Sequence, residues 1–429
     1  MKYLIYPILF FTLSCSHLKE EREINQKQRN LELGSPYALP ESEKLEWHLN
    51  ITNTQKAWQI SKGNKNIVVA IIDTGIDTKH PDLKNNLWVN QAEKNGVKGV
   101  DDDKNGFIDD IHGWNFADNS SVIMDYHGHG THVAGIIGGM GKVCKPGVAP
   151  QVSLMVLKYY SPGAPGSVNL ANTINSIYYA IRNGAHIINF SGGGPHPNEE
   201  ERKAIELALE KNILLVTAGG NEKSDIGEKP YYPASYQLSN ILAVGASDKS
   251  DKHSSFSNRG KYIKAHAPGT KIYSTLPLGL GRCGFLTGTS QSTPIFTGGA
   301  VLVKHYKQLD RPSSIIDYLS KTTDLRFDLK GKSETGGRAN FYQALGSEDK
   351  NTAIDGSTVK YSDNMIGEVA GDEDKESSEI AVFKDILKLS QKSDTDERSP
   401  SSVEWPQYLI SPSHWTGVFL EESSENQLD

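Results

Sequence analysis

The chain predicts an α/β fold: three layers, with a mostly parallel central sheet and helices on both faces. One observation is the run Ile67-Val68-Val69-Ala70-Ile71-Ile72, unbroken by any polar residue, as fits a strand buried on both sides. Another is the alternation that follows. Strand-like Val152–Lys158, helix-like Val168–Asn183, strand-like His186–Phe190, helix-like Glu199–Asn212, then strand-like Ile213–Ala218 and Ile241–Ala246 suit parallel strands joined by crossover helices. The third is that Asp73, Ser191 and Asn221 each stand just past a strand end. In open sheets of this kind the ligand site lies beyond the carboxyl ends of the strands.

At 429 residues the chain has room for one large domain or two ordinary ones, and its hydrophobic content is low, at 37%. The reason lies at the end. From Gly346 to Asp429 there are 19 acidic and 7 basic residues, a net of −12, which leaves residues 1–345 at +5 within a whole-chain charge of −7. A mildly basic body with an acidic tail, and no basic stripe interleaved with aromatics, carries no nucleic-acid signature.

The N-terminus opens with Lys2 and the apolar run Tyr3–Leu13 before Ser14-Cys15-Ser16. That run is too short to span a bilayer and reads as a signal peptide over residues 1–15. The small residue before Cys15 resembles the bacterial lipoprotein cleavage site, with Thr12 where Leu is usual, so an exported protein tethered through a lipidated Cys15, or a secreted one, is expected. Residues 16–45 read as a tether or short pro-segment, because they are charged and punctuated by Pro. Cys144 and Cys283 can pair in an exported protein, although two cysteines at this separation establish nothing by themselves.

A folded domain is expected over residues 46–345. After it the chain is acidic and Ser-rich, a composition of disorder, with an amphipathic patch at Ala381–Leu389 and an aromatic cluster of Trp405, Tyr408 and Trp415 as a docking segment.

Thr287–Gly299 is the stretch the rest serves. Gly288 allows a tight turn, Pro294 suits a first helical turn, and the apolar run that includes Ile295, Phe296 and Ala300–Val303 reads as a buried helix. A serine at the mouth of such a helix is either an ordinary cap or a nucleophile, since helix N-termini stabilise negative charge. His127-Gly128-His129-Gly130-Thr131-His132 also admits two readings. The spacing resembles the zinc pattern of metallo-β-lactamase-type hydrolases, with Thr131 in place of the Asp a second metal needs. Alternatively His129 alone serves as a general base.

Asp73-Thr74-Gly75, then His129-Gly130-Thr131-His132-Val133-Ala134-Gly135, then Gly288-Thr289-Ser290 resemble, in that order, the three signature blocks of the subtilisin-like serine proteases. The resemblance runs from about Trp47 to Leu345 and takes in Tyr232-Pro233-Ala234-Ser235, Phe256–Gly260, Ala267-Pro268-Gly269 and Ile272–Thr275. It implies a subtilisin-like three-layer fold and a monomeric serine endopeptidase acting on polypeptides through an acyl-enzyme, with no organic cofactor. By the same resemblance Asp73, His129 and Ser290 form the catalytic triad, and Asn221 the oxyanion donor. Ser191, Gly192 and Gly193, with Ala218, Gly219 and Gly220, flank the substrate. Two alternatives stand beside it: a zinc hydrolase using His127, His129 and His132, and a non-catalytic protease-like binding module. The family usually carries a bulky apolar residue where Gly192 stands, and Met and Ala where Gln291 and Ser292 stand. A thioether beside the nucleophile is open to sulfoxide formation, so Gln291 predicts resistance to peroxide.

Asp101, Asp103 and Asn105 with Gly106 at the turn reproduce the first half of an EF-hand loop, with His112 in place of its closing Glu. Asp109 or Asp110 would complete the shell, and similar inserts in the family bind calcium, so a structural calcium is expected on these five residues. Asp82 matches an aspartate that serves another calcium site in some relatives.

Overall fold

The computed structural model describes residues 45–346. The expected signal peptide with Cys15, the expected tether up to residue 44 and the acidic residues after 346 lie outside the described residues. The chain divides into two compact units, Met1–Trp47 and His48–Asp429, and the account below concerns the second.

Strand β1 (Gly63–Asp73) is the axis of the fold. Val69–Asp73 are all buried, and the strand pairs in parallel with β3 (Gln151–Lys158) on one side and β4 (Ile187–Phe190) on the other. The strand is longer than its apolar run because Gly63 pairs with Gln151 across an irregularity before Val68. Beyond β3 lies β2 (Gly113–Asn115). Beyond β4 follow β5 (Leu214–Ala218), β6 (Ile241–Ser247) and β7 (Ala265–Pro268), then the two-residue strands β11 (Gly337–Arg338) and β10 (Asp324–Leu325). All neighbours are parallel except β10 and β11. The chain leaves β1 for β3 and crosses back to β4, so the strand order reverses at β1. Such a switch opens a crevice at the carboxyl ends of the strands, and Asp73 ends β1 there.

Helices α1 (Trp47–Ile51), α2 (Thr54–Ala57) and α3 (Gln91–Asn95) are short. The longer ones are α4 (His129–Gly138), α5 (Gly166–Arg182), α6 (Glu199–Glu210), α7 (Thr289–Lys307) and α8 (Pro312–Lys321), and α9 (Phe341–Gly346) closes the domain. On one face Val68, Ala70 and Ile72 join Met155, Leu157 and Ile188 with Ile177 and Tyr179 of α5 and Ala204 and Ile205 of α6. The pleat turns Val69 and Ile71 to the other face, where α4 and α7 pack on each other and α7 crosses β1, β4, β5 and β6. Helices therefore cover both faces, as the alternation predicts.

The antiparallel hairpin β8 (Ile272–Thr275) and β9 (Cys283–Leu286) packs on α4. The contact needs small residues: a Cβ on Gly135 would lie 2.2 Å from Thr275 Oγ1. Ser274 and Thr275 donate to the carbonyls of His132 and Thr131. A disulfide between Cys144 and Cys283 fastens the turn after α4 to this hairpin. Closing a loop over a separation of 139 residues removes unfolded-state entropy worth about 5 kcal/mol in the chain-entropy picture. The same turn is held by Asp82, which accepts from the backbone N–H of Lys142, Val143 and Cys144. Backbone donors therefore balance this buried carboxylate.

Candidate active site

Three strand ends and two helix mouths meet at the crevice. Asp73 Oδ1 accepts the Thr74 N–H and stands 2.8 Å from His129 Nδ1. Asp73, His129 and Ser290 are each at most 5% exposed. Burial opposes an imidazolium at His129, but the charge and hydrogen bond of Asp73, with a further pull from Asp125, outweigh it, and the ring titrates above the usual imidazole value.

Helix α4 can come this close only because Gly130 has no side chain. A Cβ there would sit 2.1 Å from the Gly75 carbonyl. Thr74 Oγ1 accepts the Gly130 N–H and donates to Asp125 Oδ1. Asp125 was not singled out from the sequence, yet it accepts from His127 N, Gly128 N, Thr131 N and Thr131 Oγ1 as well. A buried carboxylate at a helix N-terminus satisfies donors the helix cannot and complements its dipole. Its signal was an acidic residue shortly before a helix start.

The three histidines do not converge. His129 faces Asp73. His132 is fully buried and donates through Nε2 to the carbonyls of Ile272 and Gly284, and burial lowers it to about 3. His127 is exposed, its ring 6.4 Å from that of His129. The zinc alternative finds no support in this geometry, because Asp73 holds the His129 ring while the Ile272 and Gly284 carbonyls hold that of His132.

Helix α7 starts at Thr289, so Pro294 lies in its second turn and not the first. Lacking an N–H, Pro294 cannot bond the Ser290 carbonyl four residues back. Ser191 Oγ donates to that carbonyl at 3.0 Å instead. The Ser290 hydroxyl donates to Gln291 Oε1 at 3.2 Å, and Gln291 Nε2 is buried without a partner.

Asn221 Oδ1 accepts both the N–H and the hydroxyl of Thr289. With its oxygen held, the amide presents Nδ2 as its remaining face. The preceding Ala218-Gly219-Gly220 turn is buttressed by Asn258, which donates to the Gly219 and Gly220 carbonyls and accepts from the Glu222 N–H. The sequence placed Asn258 only within a non-catalytic block.

Along Ser191–Gly194, Gly194 is paired both ways with Tyr232, whereas the Gly192 and Gly193 peptides make no hydrogen bond among the described residues. A Cβ on Gly192 would lie 3.0 Å from both Phe190 and Tyr159 Oη. Those rings occupy the space in which a bulky residue would begin.

In the acidic insert, oxygens of Glu93, Asp101 and Asp103 lie within 4.8 Å of one another. Glu93 was not anticipated, being ten residues upstream on α3. Asp110 belongs to the same network, because the side-chain amides of Asn90 and Asn105 each donate to both Asp103 and Asp110. Asp110 also accepts from Tyr179, Asp109 from the Gly99 N–H, and Asn105 Oδ1 from the Phe107 N–H. Lys104 and Asp109 stand in left-handed turns.

The sequence profile of the subtilase family matches residues 64–356. The chain is 37% identical over 268 residues to the major intracellular serine protease of Bacillus subtilis, covering 61% of this chain and 75% of that one. It is 32% identical over 292 residues to thermitase of Thermoactinomyces vulgaris, covering 68% and 92%. Among solved structures, a cold-adapted subtilisin-like serine proteinase shares the fold at a TM-score of 0.53 and 23% identity, over 68% of this chain and 97% of that one. The chain belongs to the subtilase family and is a serine endopeptidase.

Proposed function

We propose that Ser290 is the nucleophile, His129 its general base and Asp73 the group that orients His129. The observation that carries this reading is the 2.8 Å contact between Asp73 and His129 Nδ1, which directs the opposite ring nitrogen, Nε2, away from Asp73. The Ser290 hydroxyl is a weak nucleophile by itself. As Oγ attacks the scissile carbonyl carbon, its proton passes to His129 Nε2, and Asp73 stabilises the imidazolium. The carbonyl oxygen becomes an oxyanion facing Asn221 Nδ2 and the Ser290 N–H at the mouth of α7. Collapse breaks the C–N bond, and His129 returns the proton to the leaving amine. Water then attacks the acyl-enzyme by the same steps and releases Ser290.

The unpaired peptides of Gly192 and Gly193, with Ser191 against Ser290, suit an extended substrate chain on one side. Ala218-Gly219-Gly220 bounds the other. Glu93, Asp101 and Asp103 are hard oxygen donors whose mutual repulsion a calcium ion would remove, tying α3 to the insert. The N-terminal pattern supports export, with attachment to a membrane through a lipidated Cys15.

The test is Ser290→Ala in the full chain. Peptide hydrolysis and labelling by a serine-directed phosphonate should both vanish while circular dichroism and unfolding stay as in the parent. Substantial hydrolysis by a clean preparation of the variant would sink the assignment.

A further inference from the structure

Beside Ser191–Gly194 lies an open pocket that the mechanism does not use. Tyr159, Tyr160, Phe190 and Tyr232 line it, and Gly193 and Gly194 form part of its wall. Glu201 lines it too, although this residue is only 4% exposed. Glu201 stands in the first turn of α6, three residues after its cap Asn198. A Glu three residues after a helix cap ordinarily reaches back to the N–H of the cap. Here the Asn198 N–H is taken by Tyr236 Oη, and the carboxylate turns inward, with Oε2 3.0 Å from Tyr236 Oη, whose one proton it shares with the Asn198 carbonyl. Among the described residues Oε1 has no hydrogen-bond partner and no cation pairs with the group. Burial raises its titration to about 7 and the Tyr236 bond pulls the other way. His196, at the exposed rim, makes no ion pair with it.

A buried carboxylate with an unused oxygen is unfavourable unless something completes it. The ring-lined walls suit the methylene stem and the charge of a long basic side chain. We infer that Glu201 selects substrates carrying a lysine or arginine a few residues from the scissile bond, the stem packing on the tyrosines and the head group meeting Oε1. The inference rests on the proposed reading that the substrate main chain lies along Ser191–Gly193, which places its side chains next to this pocket. Gly192 and Gly193 favour the arrangement, because neither carries a side chain that could fill the pocket.

The test uses the full-length protein and fluorogenic peptides in which one lysine, or its uncharged counterpart norleucine, is walked through each position around the scissile bond. Lysine at one position should raise kcat/KM tenfold or more over norleucine in the parent and less than twofold in Glu201→Gln, with norleucine peptides cleaved alike by both. In Glu201→Leu the order at that position should reverse. Equal preference in parent and variants, or no preference in the parent, overturns the inference, and the parent comparison holds even if a variant folds poorly. Phosphonate labelling on the same preparations separates the two levels. Unlabelled parent enzyme overturns the triad and this inference with it, whereas labelled enzyme indifferent to lysine overturns this inference alone.

Discussion

Gln291→Met should make the enzyme faster, more stable and more fragile to oxidant. The Ser290 hydroxyl rests on Gln291 Oε1 at 3.2 Å, and that bond must be surrendered before the proton can move to His129. A neutral hydrogen bond is worth about 0.5–1.5 kcal/mol net, which converts to roughly a 2- to 12-fold gain in kcat when the competing acceptor is removed. The amide Nε2 is buried without a partner. Replacing it by a methyl group of similar reach relieves a penalty of about 1–3 kcal/mol. Rates should be taken on enzyme titrated through its active site, and stability from denaturant unfolding. Mild peroxide should leave the parent active and inactivate the variant, since a thioether beside the nucleophile forms a sulfoxide. A variant with unchanged or lower kcat would show that the carboxamide does not hold the serine back, and the reasoning would fail. Rapid loss of the parent's activity in peroxide would refute the protective role of Gln291.

Two further outcomes are expected. Calcium at a hundredfold excess over its dissociation constant should stabilise the protein by about 2.7 kcal/mol, or about 5 °C or more in melting temperature; a response that survives Glu93→Gln with Asp101→Asn would place any cation elsewhere. Glu201 titrates near 7 in the folded chain against an ordinary 4.5, so the folded state holds a proton that the unfolded chain releases, and stability falls as pH rises between these values. At about 1.36 kcal/mol per pH unit, Glu201→Gln should gain roughly 3 kcal/mol over the parent at pH 8 and little at pH 4; equal gains at both would contradict a buried, uncompensated carboxylate.

What could be read from the sequence follows a physical divide. The apolar run at Ile67–Ile72 was legible because burial on both faces leaves a compositional mark, whereas the blocks holding Asp73, His129 and Ser290 were legible through their resemblance to the subtilisin-like proteases. β7 was not, since Ala265-His266-Ala267-Pro268 lacks a strand's β-branched run and is held by its neighbours. Glu201 was not singled out, because helical periodicity cannot tell which way a first-turn carboxylate turns. The acidic insert was legible as a cluster, but Glu93 was not, since it comes from a separate helix.

The placement of Ser290 illustrates the same divide. Pro294 resembles a helix-start residue in sequence, yet its position in the second turn removes the N–H that would have closed on the Ser290 carbonyl. That carbonyl is met by Ser191, which itself accepts from Asn189 of β4, and Asn189 in turn accepts from Thr297 of α7. The chain of bonds is buried and closes from α7 through β4 back to α7. On the opposite side Thr289 is bound to Asn221 beyond β5. Any slip of α7 by one residue would break all of these bonds together and leave Asn189 unsatisfied in the core, a penalty of about 1–3 kcal/mol for each polar group. The Asn221 amide and the Ser290 N–H are therefore held where they stand, because the sheet and the helix keep each other in register through buried polar groups, Thr289 Oγ1 also accepting the Gly220 N–H.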